Sequence, residues 1–131
     1  MSSYVFTVTS PNDFETTVPA VIEALKAEGF GVLTTIDVAA TLKSKLGIER
    51  SPYIILGACN PHFAHQALEA EPDIGALLPC NVVVRVEPDH SVSVVFMDPV
   101  AVLGMVSHPE VDKLGHEVRE KLMRVAEAVC G

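Results

Sequence analysis

Hydrophobic positions along the chain follow two distinct periods, which separate strands from helices. Tyr4, Phe6 and Val8 alternate with their neighbours and predict a first strand. Alternation over 80–87 and 91–97, joined at Pro88-Asp89-His90, predicts a β-hairpin. Near the C-terminal end, aliphatic residues recur at helical spacing and predict one long helix: Val111, Leu114, Val118, Leu122, Val125 and Val129.

The segment after the first strand carries helix-start signals. Ser10 is the expected helix cap, with Pro11 at the first helical position and Asp13 near the positive end of the helix dipole. Pro19 is at odds with an uninterrupted helix. It either kinks a helix that begins near Pro11, or the regular helix begins only around Val18.

The remaining elements complete an alternating order. Strands are predicted over 30–36 and 53–56, a short helix after Asp37, another helix from Asn60-Pro61 to about Ala70, and an apolar connector over 101–106. A hairpin within an otherwise alternating β-α order favours the α+β class. We therefore predict a single domain over 1–131, with an antiparallel-rich sheet and helices packed on one face.

Composition narrows the classes of partner. The chain has 131 residues, of which 49% are hydrophobic, with a formal net charge of −8. An acidic chain without a basic cluster disfavours nucleic acid as a partner. No apolar run approaches the roughly 18 residues of a membrane span, and no secretory signal is evident. With three cysteines, an odd number, we expect free thiols in the cytoplasm.

Three polar pairs stand where predicted strands begin or end: Cys59-Asn60, Cys80-Asn81 and Met97-Asp98. In an antiparallel hairpin the start of one strand neighbours the end of the other, so the second and third pairs should be adjacent. We expect all three pairs at one edge of the sheet. The candidate ligand-binding residues are Cys59, Asn60, Pro79, Cys80, Asn81, Met97 and Asp98.

Other interpretations of the same residues stay open. Asn60 suits a helix cap, and cysteines are often small buried hydrophobes. Cys59 and Cys80 could instead form a dithiol redox pair, if folding brings their Cα atoms to roughly 4.4–6.8 Å. With His62 and His65 they could bind zinc or copper(I), although the helix spacing turns both histidines away from the apolar side.

Catalytic signatures are missing from the sequence. It contains no glycine-rich phosphate loop, no nucleophile elbow and no zinc-protease motif. We therefore assign no catalytic residue, no metal ligand and no cofactor, and an enzyme is the less favoured class.

Several motifs resemble the domain of unknown function 302 family. They lie at 57–61, 77–81 and 97–99, with further similarity at 13–17 and 28–32. The resemblance spans nearly the whole chain and is to the small stand-alone bacterial and archaeal members. It implies an α+β fold like that of the TATA-binding protein and a homodimer, but no activity.

Two functional hypotheses follow, from different classes. The first is a cytoplasmic homodimeric module that binds a small ligand without catalysis. The alternative is a thiol-redox or soft-metal protein that uses Cys59 and Cys80. A purely structural role, in which the mixed face of the hairpin only forms the dimer, is the third possibility.

Overall fold

The computed structural model describes residues 4–130. Within this range five strands form one antiparallel sheet: β1 (Val5–Ser10), β2 (Gly31–Asp37), β3 (Tyr53–Cys59), β4 (Cys80–Val86) and β5 (Val92–Met97). Their order across the sheet is β1-β5-β4-β3-β2, so β1 and β2 are its edges. The predicted α+β class with an antiparallel sheet is confirmed.

Five α-helices lie between and after the strands: α1 (Phe14–Ala27), α2 (Val38–Leu46), α3 (Pro61–Ala70), α4 (Pro99–Leu103) and α5 (Pro109–Cys130). Short 3-10 turns follow α3 at Pro72–Leu77 and α4 at Gly104–Val106. The α5 helix buries every residue of its predicted aliphatic stripe.

The main core lies between one face of the sheet and the helices α1 and α5. Val21 and Leu25 of α1 and Leu122 of α5 are fully buried there. The sheet contributes alternate residues of its three central strands, including Leu56, Val82, Val84, Val94 and Phe96. Helices α3 and α4 pack against α5 and form a smaller cluster around Ile74 and Leu103. The prediction of helices on one face of the sheet is confirmed for α1 and α5.

The start of α1 differs from the prediction. Asp13, not Ser10, is the cap, because its carboxylate accepts a hydrogen bond from the Thr16 amide at 2.8 Å. Ser10 still belongs to β1, where it pairs with Val92, and its hydroxyl is 2.7 Å from the Thr17 hydroxyl in the interior. The helix thus begins three residues later than expected.

Pro19 lies inside α1, as in the first predicted alternative, whereas the second, a helix that begins only around Val18, is wrong. As the sixth helical residue it lacks the N–H that would bond to the Glu15 carbonyl. Both residues are exposed, which leaves that carbonyl open to water.

Two other segments are more ordered or less buried than their pattern predicted. Part of the expected apolar connector is helix α4, capped by Asp98, whose carboxylate accepts a hydrogen bond from the Val100 amide at 3.0 Å.

The α2 helix is capped by Asp37 and ends at Gly47, as predicted, but none of its residues is fully buried. Leu46 at its end is 66% exposed.

Candidate functional site

Strand register brings the three polar pairs to one edge of the sheet. Gly57 and Ala58 of β3 pair with Asn81 and Cys80 of β4. On the other side of β4, Val82 pairs with Phe96, which places Asn81 beside Met97. We call this side of the sheet the rim. It is formed by the end of β3, the start of β4 and the end of β5, and is distinct from the edge strands β1 and β2.

Alternation along the strands divides the rim residues between the two faces of the sheet. Cys80 shares the helix-covered face with Val82 and Val84, whereas Asn81 shares the opposite face with Val83. We call that opposite face the open face. The seven candidate residues therefore form no single cluster of side chains.

Four of the candidates line a small cavity on the helix side: Cys59, Asn60, Pro79 and Cys80. The rest of its wall is apolar and comes mainly from α3 and α5, with Phe63, Ala67, Leu114 and Val118 among its residues. The cavity holds about 30 Å³. Sites for small organic ligands usually measure about 300–1,000 Å³, and one water needs about 10–15 Å³. This cavity has room for a water or two but not for a metabolite.

Asn60 performs the capping role at α3. Its side-chain oxygen accepts a hydrogen bond from the His62 amide at 3.2 Å, and Pro61 occupies the first helical position. The side chain is 9% exposed and packs beside Gly29, where an added Cβ would lie 3.0 Å from Nδ2. Asn60 thus connects the start of α3 to the turn that follows α1.

The thiols are free, and Cys80 is shielded from reaction. It is 7% exposed, and burial, followed by the proximity of Cys59, raises the pKa of its thiol to about 11. Because the thiolate is the reactive form, Cys80 is a poor nucleophile at neutral pH. Over residues 4–130, no three side chains of His, Cys, Asp or Glu are grouped closely enough to hold a metal ion.

The Asp98 side chain does not line the cavity on the helix side, because it makes structural contacts instead. Besides capping α4, its carboxylate forms an ion pair with Arg119 at 3.2 Å, and its backbone N–H donates to the Tyr4 carbonyl at 2.8 Å. The Arg119 guanidinium also lies over the Phe6 ring, 5.6 Å from its centre. Asp98 therefore ties β1, β5, α4 and α5 together.

The last two candidates, Asn81 and Met97, lie on the open face. They line a groove of about 240 Å³ together with four residues that the sequence did not single out: Tyr4, Val5, Val83 and Val95. Asn81 is exposed, and Met97 and Val83 are half-buried. The alternation of 80–87 and 91–97 does put Asn81, Val83, Val95 and Met97 on one face, but only the pairing of β1 with β5 adds Tyr4 and Val5.

Gly57 is a rim residue whose importance the sequence did not reveal. A Cβ at this position would collide with the Thr34 hydroxyl and lie 2.9 Å from Cγ of Pro79. The β2 strand bulges between Val32 and Thr34, beside this contact. A glycine inside a strand pattern is a signal of such close approach.

The part of the open face away from the rim carries a self-contained polar cluster. Glu87 accepts hydrogen bonds from the Arg85 guanidinium at 3.1 Å and from the Ser93 hydroxyl at 2.6 Å. These two bonds, that of Arg85 first, hold the pKa of Glu87 below its ordinary value. The charges of Arg85 and Glu87 thus offset each other at the surface.

Comparison with known proteins places the chain in a family. The model of the family described as "Domain of unknown function DUF302" matches residues 6–129. The chain belongs to the DUF302 family. No curated protein matches it significantly. The crystal structure titled "uncharacterized conserved protein DUF302" from Bacillus stearothermophilus is similar to it with a TM-score of 0.90 and 28% identity, over 98% of this chain and 99% of that one.

These matches confirm the resemblance to the DUF302 family and the α+β architecture. DUF302 membership supplies no activity. As for membranes, none of the helices within residues 4–130 combines the length and apolar character that a crossing requires.

Proposed function

We propose that this DUF302 protein is a homodimeric, non-catalytic module that binds a small ligand at the rim, with the open face as the subunit interface. The observation that carries the proposal is the exposed apolar surface of this face. Val83 and Met97 are only half-buried in the single chain, and Ile36 on β2 is 48% exposed, although Val95 between them is 9% exposed. An antiparallel sheet that faced only water would carry a polar outer surface instead.

The size and charge of the open face suit self-association. Five strands of about six residues cover roughly 500 Å² at usual strand spacings. That area is of the order of the roughly 800 Å² that each partner buries in a standard interface. Arg85 and Glu87 already neutralise each other, so a two-fold pairing of the part of this face around Val83 and Met97 would not oppose either charge unpaired.

The binding role draws support from the groove at Asn81 and Met97. It holds about 240 Å³ in the single chain, somewhat below the roughly 300–1,000 Å³ of usual ligand sites, against about 30 Å³ for the cavity on the helix side. A thiol-based reaction receives less support, because the Cys80 thiol stays protonated at neutral pH. Free cysteines are compatible with a reducing compartment, and we propose the cytoplasm.

The proposed interface is tested by the mass in solution of two matched charge insertions. Val83→Glu places a carboxylate on the open face, whereas Leu68→Glu places one at an exposed apolar position of α3, where Leu68 is 43% exposed. Light scattering after size exclusion should give a dimer for the wild type and for Leu68→Glu, and a monomer for Val83→Glu. Circular dichroism checks that both variants fold.

Two outcomes would contradict the proposed interface. One is a wild type that stays monomeric at tens of micromolar. The other is a folded Val83→Glu variant that dimerises as well as Leu68→Glu, which would move the interface to another surface.

A further inference from the structure

The groove on the open face is lined by uncharged and mostly apolar side chains. Its six lining residues are Tyr4, Val5, Asn81, Val83, Val95 and Met97, none of which is charged. Only the Asn81 amide and the Tyr4 hydroxyl can form side-chain hydrogen bonds. The remaining wall is aliphatic or thioether.

Asn81 is the polar group best placed to contact a ligand. It is exposed at the start of β4, and within residues 4–130 its side chain has no hydrogen-bond partner. Its amide can both donate and accept a hydrogen bond. By contrast, Asn60 on the other side of the sheet uses its oxygen to cap α3.

Charged ligands would find no counter-charge in this groove. The nearest ionised groups on the same face are Arg85, two residues along β4 from Val83, and Glu87, and these bond to each other at 3.1 Å. A carboxylate or phosphate enclosed in the groove by a second copy would lose hydration and gain no counter-charge, only the hydrogen bonds of Asn81 and Tyr4, which is unfavourable.

We propose that the groove binds a neutral, mainly apolar ligand that has one hydrogen-bonding group directed at Asn81, and that the second copy's open face closes the groove over it. This inference rests on the proposed dimer and deepens it by naming the class of ligand. The groove is open to solvent in the single chain, so the partner copy completes the site. A ligand enclosed by two copies stabilises the dimer through linkage.

The test uses 1-octanol and octanoate, which have equal chain lengths and differ in charge at pH 7.5. Calorimetric titration of the wild type should show octanol binding at least about tenfold more tightly than octanoate, because the carboxylate loses hydration unpaired. Sedimentation should show that octanol lowers the dimer dissociation constant.

A pair of asparagine variants localises the binding. Asn81→Leu should weaken octanol binding about fivefold, the size expected for one lost hydrogen bond. Asn12→Leu is the matched control, since Asn12 is exposed near the opposite end of β1, and it should leave octanol binding unchanged.

The outcomes separate this inference from the proposed dimer. A wild type that dimerises but binds neither probe overturns the ligand class and leaves the dimer standing. Octanoate binding as tightly as octanol, or octanol binding that Asn81→Leu does not weaken, overturns the inference as well. A wild type that is monomeric with and without octanol overturns both proposals.

Discussion

The substitution Gly57→Ala tests the packing of the rim with the addition of one methyl group. The new Cβ would collide with the Thr34 hydroxyl and lie 2.9 Å from Cγ of Pro79, where ordinary contacts lie at 3.4–4 Å. Thr34 can turn to another rotamer, but the Pro79 ring is rigid, so the backbone of β3 or of the segment before β4 has to shift. Overpacking of this kind costs about 1–3 kcal/mol.

A smaller opposing effect reduces the expected loss. Alanine has less conformational freedom in the unfolded chain than glycine, which favours the folded variant by about 0.5–1 kcal/mol. The net destabilisation expected for Gly57→Ala is therefore about 1 kcal/mol, within a range of roughly 0–2.5 kcal/mol. At a urea dependence of about 2 kcal/mol per molar, a loss of this size lowers the unfolding midpoint by about 0.5 M.

Gly31→Ala is the matched control for this measurement. Gly31 also lies in a strand, and no atom of the described residues comes within 4 Å of its added Cβ. This variant should be as stable as the wild type or more stable, by up to about 1 kcal/mol. Equal urea midpoints for Gly57→Ala and Gly31→Ala would refute the steric explanation of Gly57.

Two further predictions concern the helix side of the rim. Asn60→Ala removes the cap of α3 and should lower the free energy of unfolding, measured by urea titration, by about 1 kcal/mol. An unchanged free energy of unfolding would show that the 3.2 Å hydrogen bond from the His62 amide does not contribute to stability. Cys80 has a folded-state pKa of about 11 against 9.0 for an unperturbed thiol, so the unfolded chain loses this proton first as pH rises. Wild-type stability should therefore fall by up to roughly 3 kcal/mol between about pH 9 and 11, and Cys80→Ala should lack this part of the fall. Parallel pH profiles for the two proteins would contradict the burial of the thiol.

Local patterns were sufficient to predict most of the fold. The α5 stripe and the hairpin each depend on a periodicity within one segment, and both are confirmed. The adjacency of Cys80-Asn81 and Met97-Asp98 followed from hairpin geometry alone. The start of α1 could not be predicted from the local pattern, because Ser10 and Asp13 are both good caps. The pairing of Ser10 with Val92 in the sheet decides between them.

The division of the candidate site between two faces depends on contacts that the sequence does not specify. Cys80 and Asn81 are neighbours in sequence, yet alternation sends one towards α5 and the other to the open face. The small volume beside Cys80 results from Phe63, Leu114 and Val118 on two different helices. The groove includes Tyr4 because an N-terminal strand pairs with β5, far along the chain.

The α2 helix has a practical consequence because none of its residues is fully buried. Its opening exposes little new apolar surface, so its backbone amides should exchange with deuterium well before those of α5. Ile48 in the turn after it is 48% exposed and is accordingly a suitable place to attach a fluorophore or an affinity tag. This turn precedes the start of β3, whereas the rim lies at the end of β3, so a probe there should leave the rim undisturbed.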